Sequence, residues 1–224
     1  MATHNYAPLF GRRLRVTQVG GNGAPGPQQF VTEGFVSVNL QGVTEDGAEI
    51  LLRNAQNQLC INEQLASTFK RLNVSVRFCG VNPLLLSWMS NAEIYEDYAG
   101  DAAGFTLSEG EINGTFALEL FTGLAGSLND QNANGYALLP FVQAGTIADL
   151  EFTGEDAVDF TIQNMLSLSG NAWGTGPYDV VMDDAATPVA APLPTALDPK
   201  THFLLIDTAV TAPAATPEPI AIPV

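Results

Sequence analysis

His4 and His202 are the only two histidines in the 224 residues, so any general-base or nucleophile-activating site built on imidazole must use one of them. His4 lies in a short N-terminal stretch and His202 at the start of an apolar run, and neither has an acid or nucleophile beside it in a recognisable motif. A Ser-His-Asp or Cys-His site through His202 is formally open, but a structural or surface histidine is the expected reading. Asp130-Gln-Asn132-Ala-Asn134-Gly135 copies the opening of a calcium loop. The twelfth position would be Phe141 where a bidentate acid is needed, so an ordinary Asn/Gly turn is favoured. Asp183-Asp184 and Glu155-Asp156 are paired acids in turn-like surroundings, read as solvated turns rather than a glycosidase-like pair. No phosphate-binding glycine loop, dinucleotide fingerprint or zinc-protease motif occurs, so neither an enzyme nor a cofactor is expected.

Cys60 and Cys79 are too few for a disulfide framework or a structural zinc site, and buried thiols are expected. Trp88 reads as core. Trp173, within WGTGPYDV, could mark a sugar or partner site together with Tyr178, but packing beneath a tight turn is favoured.

The elements that would carry these residues are mostly strands. Leu72, Val74, Val76 and Phe78 alternate with Arg71, Asn73, Ser75 and Arg77, the pattern of a half-buried strand. Gly80 ends it, Asn82 is placed as an N-cap and Pro83 as the first helical residue, and Leu85, Trp88 and Met89 share one helical face. A helix is therefore predicted over about residues 82–91, lying back on a sheet.

Earlier in the chain, residues 1–8 read as an arm. Residues 9–19 read as a strand with Leu14 and Val16 inward and Arg13, Arg15 and Thr17 outward. A Gly/Pro loop spans 20–27, and Val36, Val38 and Leu40 alternate through a second strand. Residues 42–70 form an excursion containing a short hairpin turned at Ala55 to Asn57, expected to project from the sheet.

Later, Asn113-Gly114 predicts a hairpin between 105–112 and 115–121. Pro140 inside Tyr136 to Val142 argues for an edge or a bend. Ala148, Leu150 and Phe152, then Phe160, Ile162, Leu166 and Leu168, predict inward faces at constant parity. Tyr178 to Met182 and residues 202–206 are the last strand candidates. Nine of the fourteen prolines fall from Pro177 onward, so 183–199 and 208–224 are expected to be extended or mobile connections rather than core. The sum is an all-β domain over residues 9–182, with roughly eight to ten strands and one helix, followed by a Pro/Ala-rich segment over 183–224.

Charge is distributed unevenly. Net charge is −16, yet residues 1–77 hold seven Lys and Arg against five acids, a net +2; residues 78–224 hold Lys200 alone against nineteen acids, a net −18. Such a chain repels free nucleic acid and anionic membrane over a Debye length of about 8 to 10 Å. A conventional DNA-binding surface is not expected, and copies could meet with basic N-terminal parts against acidic ones. The longest apolar runs are far short of the ~20 residues that span a bilayer, and no basic region followed by an apolar run opens the chain, so neither a membrane span nor a secretory signal is expected.

Four stretches, TEGFVSVNL at Thr32 to Leu40, EDGAEILLRNAQNQLCI, KRLNVSVRFCGVNPLLLSWM, and YALLPFV followed by WGTGPYDV, resemble the major tail, or tail tube, proteins of long-tailed bacteriophages, especially those infecting actinobacteria. The resemblance covers most of residues 30–182. It implies a β-sandwich or barrel-like fold with a flanking helix and extended terminal arms, and six copies in a ring with rings stacked as a tube that conducts double-stranded DNA. It also implies assembly in the host bacterial cytoplasm into a virion tail, with tape-measure, tail-terminator and tail-tip proteins as partners. Carried onto this chain, it assigns contacts between copies to the N-terminal arm, the excursion and the segment after Asp183. Glu45, Asp46, Glu49 and Arg53 of the excursion, together with Arg12, Arg13 and Arg15 of the first strand, are the residues expected to take part in self-assembly. Asp149, Glu151 and Asp159 would face the lumen. Other readings are a head-decoration or tail-terminator subunit, and a carbohydrate-binding β-sandwich.

Overall fold

The computed structural model describes residues 9–124, 134–148, 150 and 159–223. The described chain is mainly β, in a β-sandwich or barrel-like arrangement around one large antiparallel sheet. Its first half contains β1 (Leu9–Val19), β2 (Pro25–Thr32), β3 (Phe35–Glu45), β4 (Glu49–Arg53), β5 (Leu59–Gln64), β6 (Thr68–Phe78) and the helix α1 (Pro83–Met89). Then come β7 (Ala92–Glu96), β8 (Ala102–Leu107), β9 (Thr115–Leu124), β10 (Asn134–Gln143), β11 (Thr146–Ile147) and β12 (Phe160–Ser167). The C-terminal part adds β13 (Val181–Met182), β14 (Ala190–Ala191), β15 (Leu204–Thr208) and β16 (Ile220–Ala221).

The main sheet has the order β16-β2-β1-β9-β10-β12-β6-β3, with β11 added to β12 and β15 to β10. This order forces the sheet to roll. In a flat sheet β2 and β3 would lie six strand spacings apart, about 29 Å. Only two residues, Glu33 and Gly34, link them, and the step from Thr32 to Phe35 spans at most about 11 Å. The two ends of the sheet must therefore approach each other. Cys79 N–H accordingly donates to Gly34 O at 2.9 Å, and the Phe35 ring lies across Gly11 of β1, where a Cβ would sit only 2.7 Å away.

Inside the roll, Leu14, Val16, Val74, Val76, Phe78, Phe116, Leu118 and Ile162 close around α1, whose Leu85, Leu86 and Met89 are buried. Asn82 caps the helix by accepting the Leu84 N–H at 2.8 Å, and Pro83 occupies the first turn. Capping and helix thus match expectation, although Leu86 takes the core position and Trp88 is half-buried at the margin.

A second core lies on the opposite face of the sheet. Ala117, Phe121, Tyr136 and Leu138 pack there under Trp173, Tyr178, Val180 and Leu193 from the stretch after β12. This revises the expectation that the segment after Asp183 lies outside the core: Leu193 is buried, and β16 pairs with β2. Prolines remove backbone donors without preventing side chains from packing, so the segment is extended yet fastened.

Four further expectations are corrected. Asn113-Gly114 is not a hairpin turn: β8 pairs with β7, and β9 pairs with β1 and β10. β10 with Pro140 is a central strand, and the proline sits where the register shifts between Leu139 and Val142, so the bend holds and the edge does not. The stretch from Phe160 does not keep one parity. A bulge between Ile162 and Met165, with Asn164 at φ +61°, brings Met165 into the core in place of Leu166. Likewise a register shift at Val36 leaves that residue exposed while Phe35, Val38 and Leu40 face inward. The predicted strand at 148–153 falls largely outside the described residues.

Because Leu86 is fully buried in the roll, Leu86→Ala should lower unfolding free energy by about 2 to 5 kcal/mol, read from urea denaturation.

Candidate functional site

Residues 46–67 leave the body of the sheet between β3 and β6, and β4 and β5 form a separate two-stranded hairpin. The tip is set by Asn54, whose side-chain oxygen accepts the N–H groups of Gln56 and Gln58 at 3.0 and 2.8 Å, while Asn57 takes φ +62°. The predicted turn is there. All eleven strand residues of the hairpin are exposed, including Ile50, Leu51, Leu52, Leu59 and Ile61. Leu65 and Phe69 extend the apolar surface at its base. At that base Gly47 passes so close to Leu65 that a Cβ would lie 2.0 Å from its carbonyl oxygen, which fixes how the hairpin leaves the sheet.

Of the expected contact residues, four belong to this excursion. Glu45 pairs with Lys70 at 3.2 Å, Asp46 accepts from Ser67 at 3.2 Å, and Arg53 donates to Asn57 O at 3.1 Å; Glu45, Asp46, Glu49 and Arg53 are all exposed. The three β1 arginines do not act together. Arg12 occupies a bulge and lies across Gly123, and Arg13 pairs with Glu33 at 2.6 Å.

Arg15 is not outward-facing in any useful sense, because the second core covers it. Its Nε and Nη2 donate to the two oxygens of Glu119, its direct cross-strand partner, both at 2.6 Å. Tyr136 donates its hydroxyl to the same carboxylate, the Tyr178 ring stacks 3.4 Å from the guanidinium, and Tyr178 shares a 2.9 Å hydrogen bond with Thr17. Burial is the largest single influence on Arg15 and lowers its pKa, but the charge and hydrogen bonds of Glu119, with Tyr136 and Tyr178, together outweigh it and the pKa is raised. Burial, reinforced by Glu119, pushes Tyr136 well up and Tyr178 up to about 12. Period-2 alternation identified the face correctly; what it cannot carry is whether another segment covers that face.

The remaining candidates separate. Asp159 pairs with Arg77, its Oδ2 accepting from Nε at 3.0 Å. Asp149, Glu151, Glu155-Asp156, residues 130–133 of the calcium-like loop and His4 lie outside the described residues, while Asn134 and Gly135 belong to β10. Asp183 accepts from the N–H groups of Ala185 and Val189, a turn acid as expected. Trp173 and Tyr178 are 3% and 4% exposed, so neither offers a sugar-stacking platform. Cys60 and Cys79 are both exposed, contrary to expectation: Cys60 because the hairpin has no covered face, Cys79 because it lies beyond the last core residue of β6.

His202 does meet a serine. Its Nδ1 lies 2.7 Å from Ser167 Oγ, and Phe69 packs edge-on to its ring. Ser167 is 1% exposed and already accepts the Leu72 N–H at 2.8 Å, so the hydroxyl fastens β6 to the β12 end rather than facing a substrate. Partial burial lowers the His202 pKa, favouring neutral imidazole. Among the described residues no three His, Cys, Asp or Glu side chains converge on a metal position, and no helix is long and apolar enough to cross a membrane.

No family model matches the chain, and no curated protein matches it.

Glu119→Ala leaves the Arg15 charge buried and unpaired and should cost about 3 to 5 kcal/mol in urea unfolding, whereas Arg15→Met combined with Glu119→Leu should be much nearer neutral. Reversing Arg15 should therefore unfold the protein, unlike reversing Arg13. The folded state also holds the Tyr178 proton to about pH 12 against about 10 when unfolded. The associated stability is fully present below pH 10 and falls as pH rises towards 12, which alkaline titration of the unfolding midpoint would follow.

Proposed function

We propose that this chain is a non-enzymatic structural subunit that assembles with copies of itself into hexameric rings stacked as a bacteriophage tail tube, a conduit for double-stranded DNA. The observation that carries this reading is the β4–β5 hairpin. A two-stranded hairpin is marginal by itself in water, and this one presents large aliphatic residues on both faces with nothing of its own chain over them. Association with another copy would bury that surface and stabilise the hairpin.

Two further features support self-assembly. β3 is an eleven-residue strand ending the hydrogen-bonded path, and among the described residues no strand pairs with its outer edge. Such an edge favours strand addition between subunits. The net charge of −16 suits a wall along which DNA slides without adhering. The four stretches resembling tail tube proteins supply the hexameric ring, the virion location and the tape-measure, terminator and tip partners of this proposal.

Negative-stain electron microscopy across a concentration series, with light scattering on the same samples, tests it. Long hollow tubes or stacked rings are the expected result. Closed trimers or unstacked single rings would point to a head-decoration or terminator subunit, and a compact monomer at every concentration, even with tail extract added, would overturn self-assembly. Leu52→Asp should abolish tubes while changing monomer stability by no more than about 0.5 kcal/mol, because the residue is exposed in the monomer.

A further inference from the structure

Asn113-Gly114 has the composition of a tight turn and does not form one, so the dipeptide has no turn to make in this fold. It keeps its chemistry. In an Asn-Gly pair the glycine nitrogen has no neighbouring Cβ to shield it and can close a five-membered ring on the asparagine side chain. The chain holds three such pairs, Asn22-Gly23, Asn113-Gly114 and Asn134-Gly135. Ring closure needs the glycine nitrogen unoccupied and the asparagine side chain at liberty to reach it.

At Asn22 neither condition holds. Gly23 N–H donates to Gly20 O at 2.8 Å, and the Asn22 side-chain oxygen accepts the Ala24 N–H at 3.2 Å. Asn134-Gly135 opens β10, a strand laddered to β9 on one side and to β15 on the other, and Gly135 is buried. Asn113 and Gly114 are both exposed, in the irregular stretch between β8 and β9. Among the described residues Gly114 N–H has no hydrogen-bond acceptor and the Asn113 side-chain oxygen accepts nothing, while the Asn113 amide nitrogen donates to Glu111 Oε2 at 3.0 Å. Gly114 is held by other atoms: its carbonyl accepts the Ala144 N–H at 2.8 Å, and a Cβ at its position would lie 3.1 Å from that of Ala144. Packing therefore calls for glycine here, and glycine leaves the nitrogen open.

We propose that Asn113 is a self-modification site, at which the Gly114 nitrogen attacks the Asn113 side-chain carbonyl carbon. The new C–N bond forms as the bond from that carbon to Nδ2 breaks. The Gly114 N–H proton passes to solvent, and the amide nitrogen leaves as ammonia after taking a proton from solvent. Water then opens the succinimide at either carbonyl, giving aspartate or isoaspartate. Either product sets a carboxylate near Glu111, in the part of the chain that already carries a net −18. Isoaspartate also routes the main chain through the side chain and lengthens it by one carbon between Ile112 and Gly114. The carbonyls of those two residues are tied to the Gln143 side chain and to Ala144 N–H. The extra atom lies between two fixed points, so one of those bonds weakens and the entry of β9 into the sheet loosens as the protein ages.

Folded protein is held at mildly alkaline pH and digested with a glutamate-specific protease, which releases Ile112 to Glu119 as one peptide; chymotryptic peptides report the other two pairs. The expected result is conversion of Asn113, seen as the mass gain of exchanging NH2 for OH and as two new chromatographic forms. It should run at least about tenfold faster than at Asn22 or Asn134, where a backbone hydrogen bond must first break. No conversion at Asn113, or conversion no faster than at the other two, would overturn the site. In urea the three rates should become similar, and rates that stay unequal would assign the selectivity to sequence neighbours instead of the fold. The isoaspartyl form, separated from aged protein, should unfold at lower urea than Asn113→Asp, which carries the charge without the extra main-chain atom. Equal midpoints would overturn the loosening.

Discussion

The ion pair between Arg15 and Glu119 lies where the C-terminal wrap closes over the sheet, both residues being on the face that the second core covers. It sits at the centre of the sheet, between directly opposed residues of β1 and β9, with Nε on one carboxylate oxygen and Nη2 on the other. Desolvating two charges is costly, and the cost is offset only if the geometry is good and the remaining lone pairs are used. Tyr136 supplies one more donor and Tyr178 a stacked ring. Tyr178 comes from the segment after β12, so the pair is buried only when that segment lies across the sheet. The same event covers Phe121, Leu138 and Trp173. Wrapping, the second core and burial of the ion pair therefore go together, and a register slip in β1 would set a charge without its partner.

The other constraint is topological. The two-residue link between β2 and β3 joins strands six places apart on the hydrogen-bonded path, and the sheet rolls to permit it. The roll encloses α1, which fills the interior with Leu85, Leu86 and Met89. Bulges at Arg12, Val36 and Asn164 supply the local turns of direction that a rolled sheet needs, and Asn164 adopts the left-handed conformation that asparagine tolerates better than most residues. The body is thus satisfied on the inside by the helix and on the outside by the C-terminal wrap.

Against that body, the excursion stands apart. Its aliphatic residues match those of the core in kind, yet they lie on a hairpin two strands wide with water on both sides. Edge strand, acidic surface and projecting hairpin all favour the same proposal of a stacked structural tube.

Much of the fold is legible locally. Alternation in β6, the Asn82-Pro83 cap, the projecting hairpin with its Ala55 to Asn57 turn, and the mainly β class all follow from patterns a few residues long, because a cap or a strand face is decided by neighbours in sequence. What could not be read there depends on distant residues. Arg15 and Thr17 lie on the polar side of their strand, and only the wrap by residues 168–206 turns that side into a core. Asn113-Gly114 has the composition of a tight turn, but β9 finds its partners in β1 and β10, so the dipeptide merely ends a loop. Parity fails at Val36 and after Ile162 because one extra residue in a bulge reverses every later side chain, and a bulge is set by the partner strand's register. Sequence by itself therefore determined the helix, the hairpin and the well-alternating strands, but not β2, whose start falls in the stretch read as a Gly/Pro loop; tertiary structure decided which faces are covered and which charges are paired, because burial belongs to pairs of segments and not to either one.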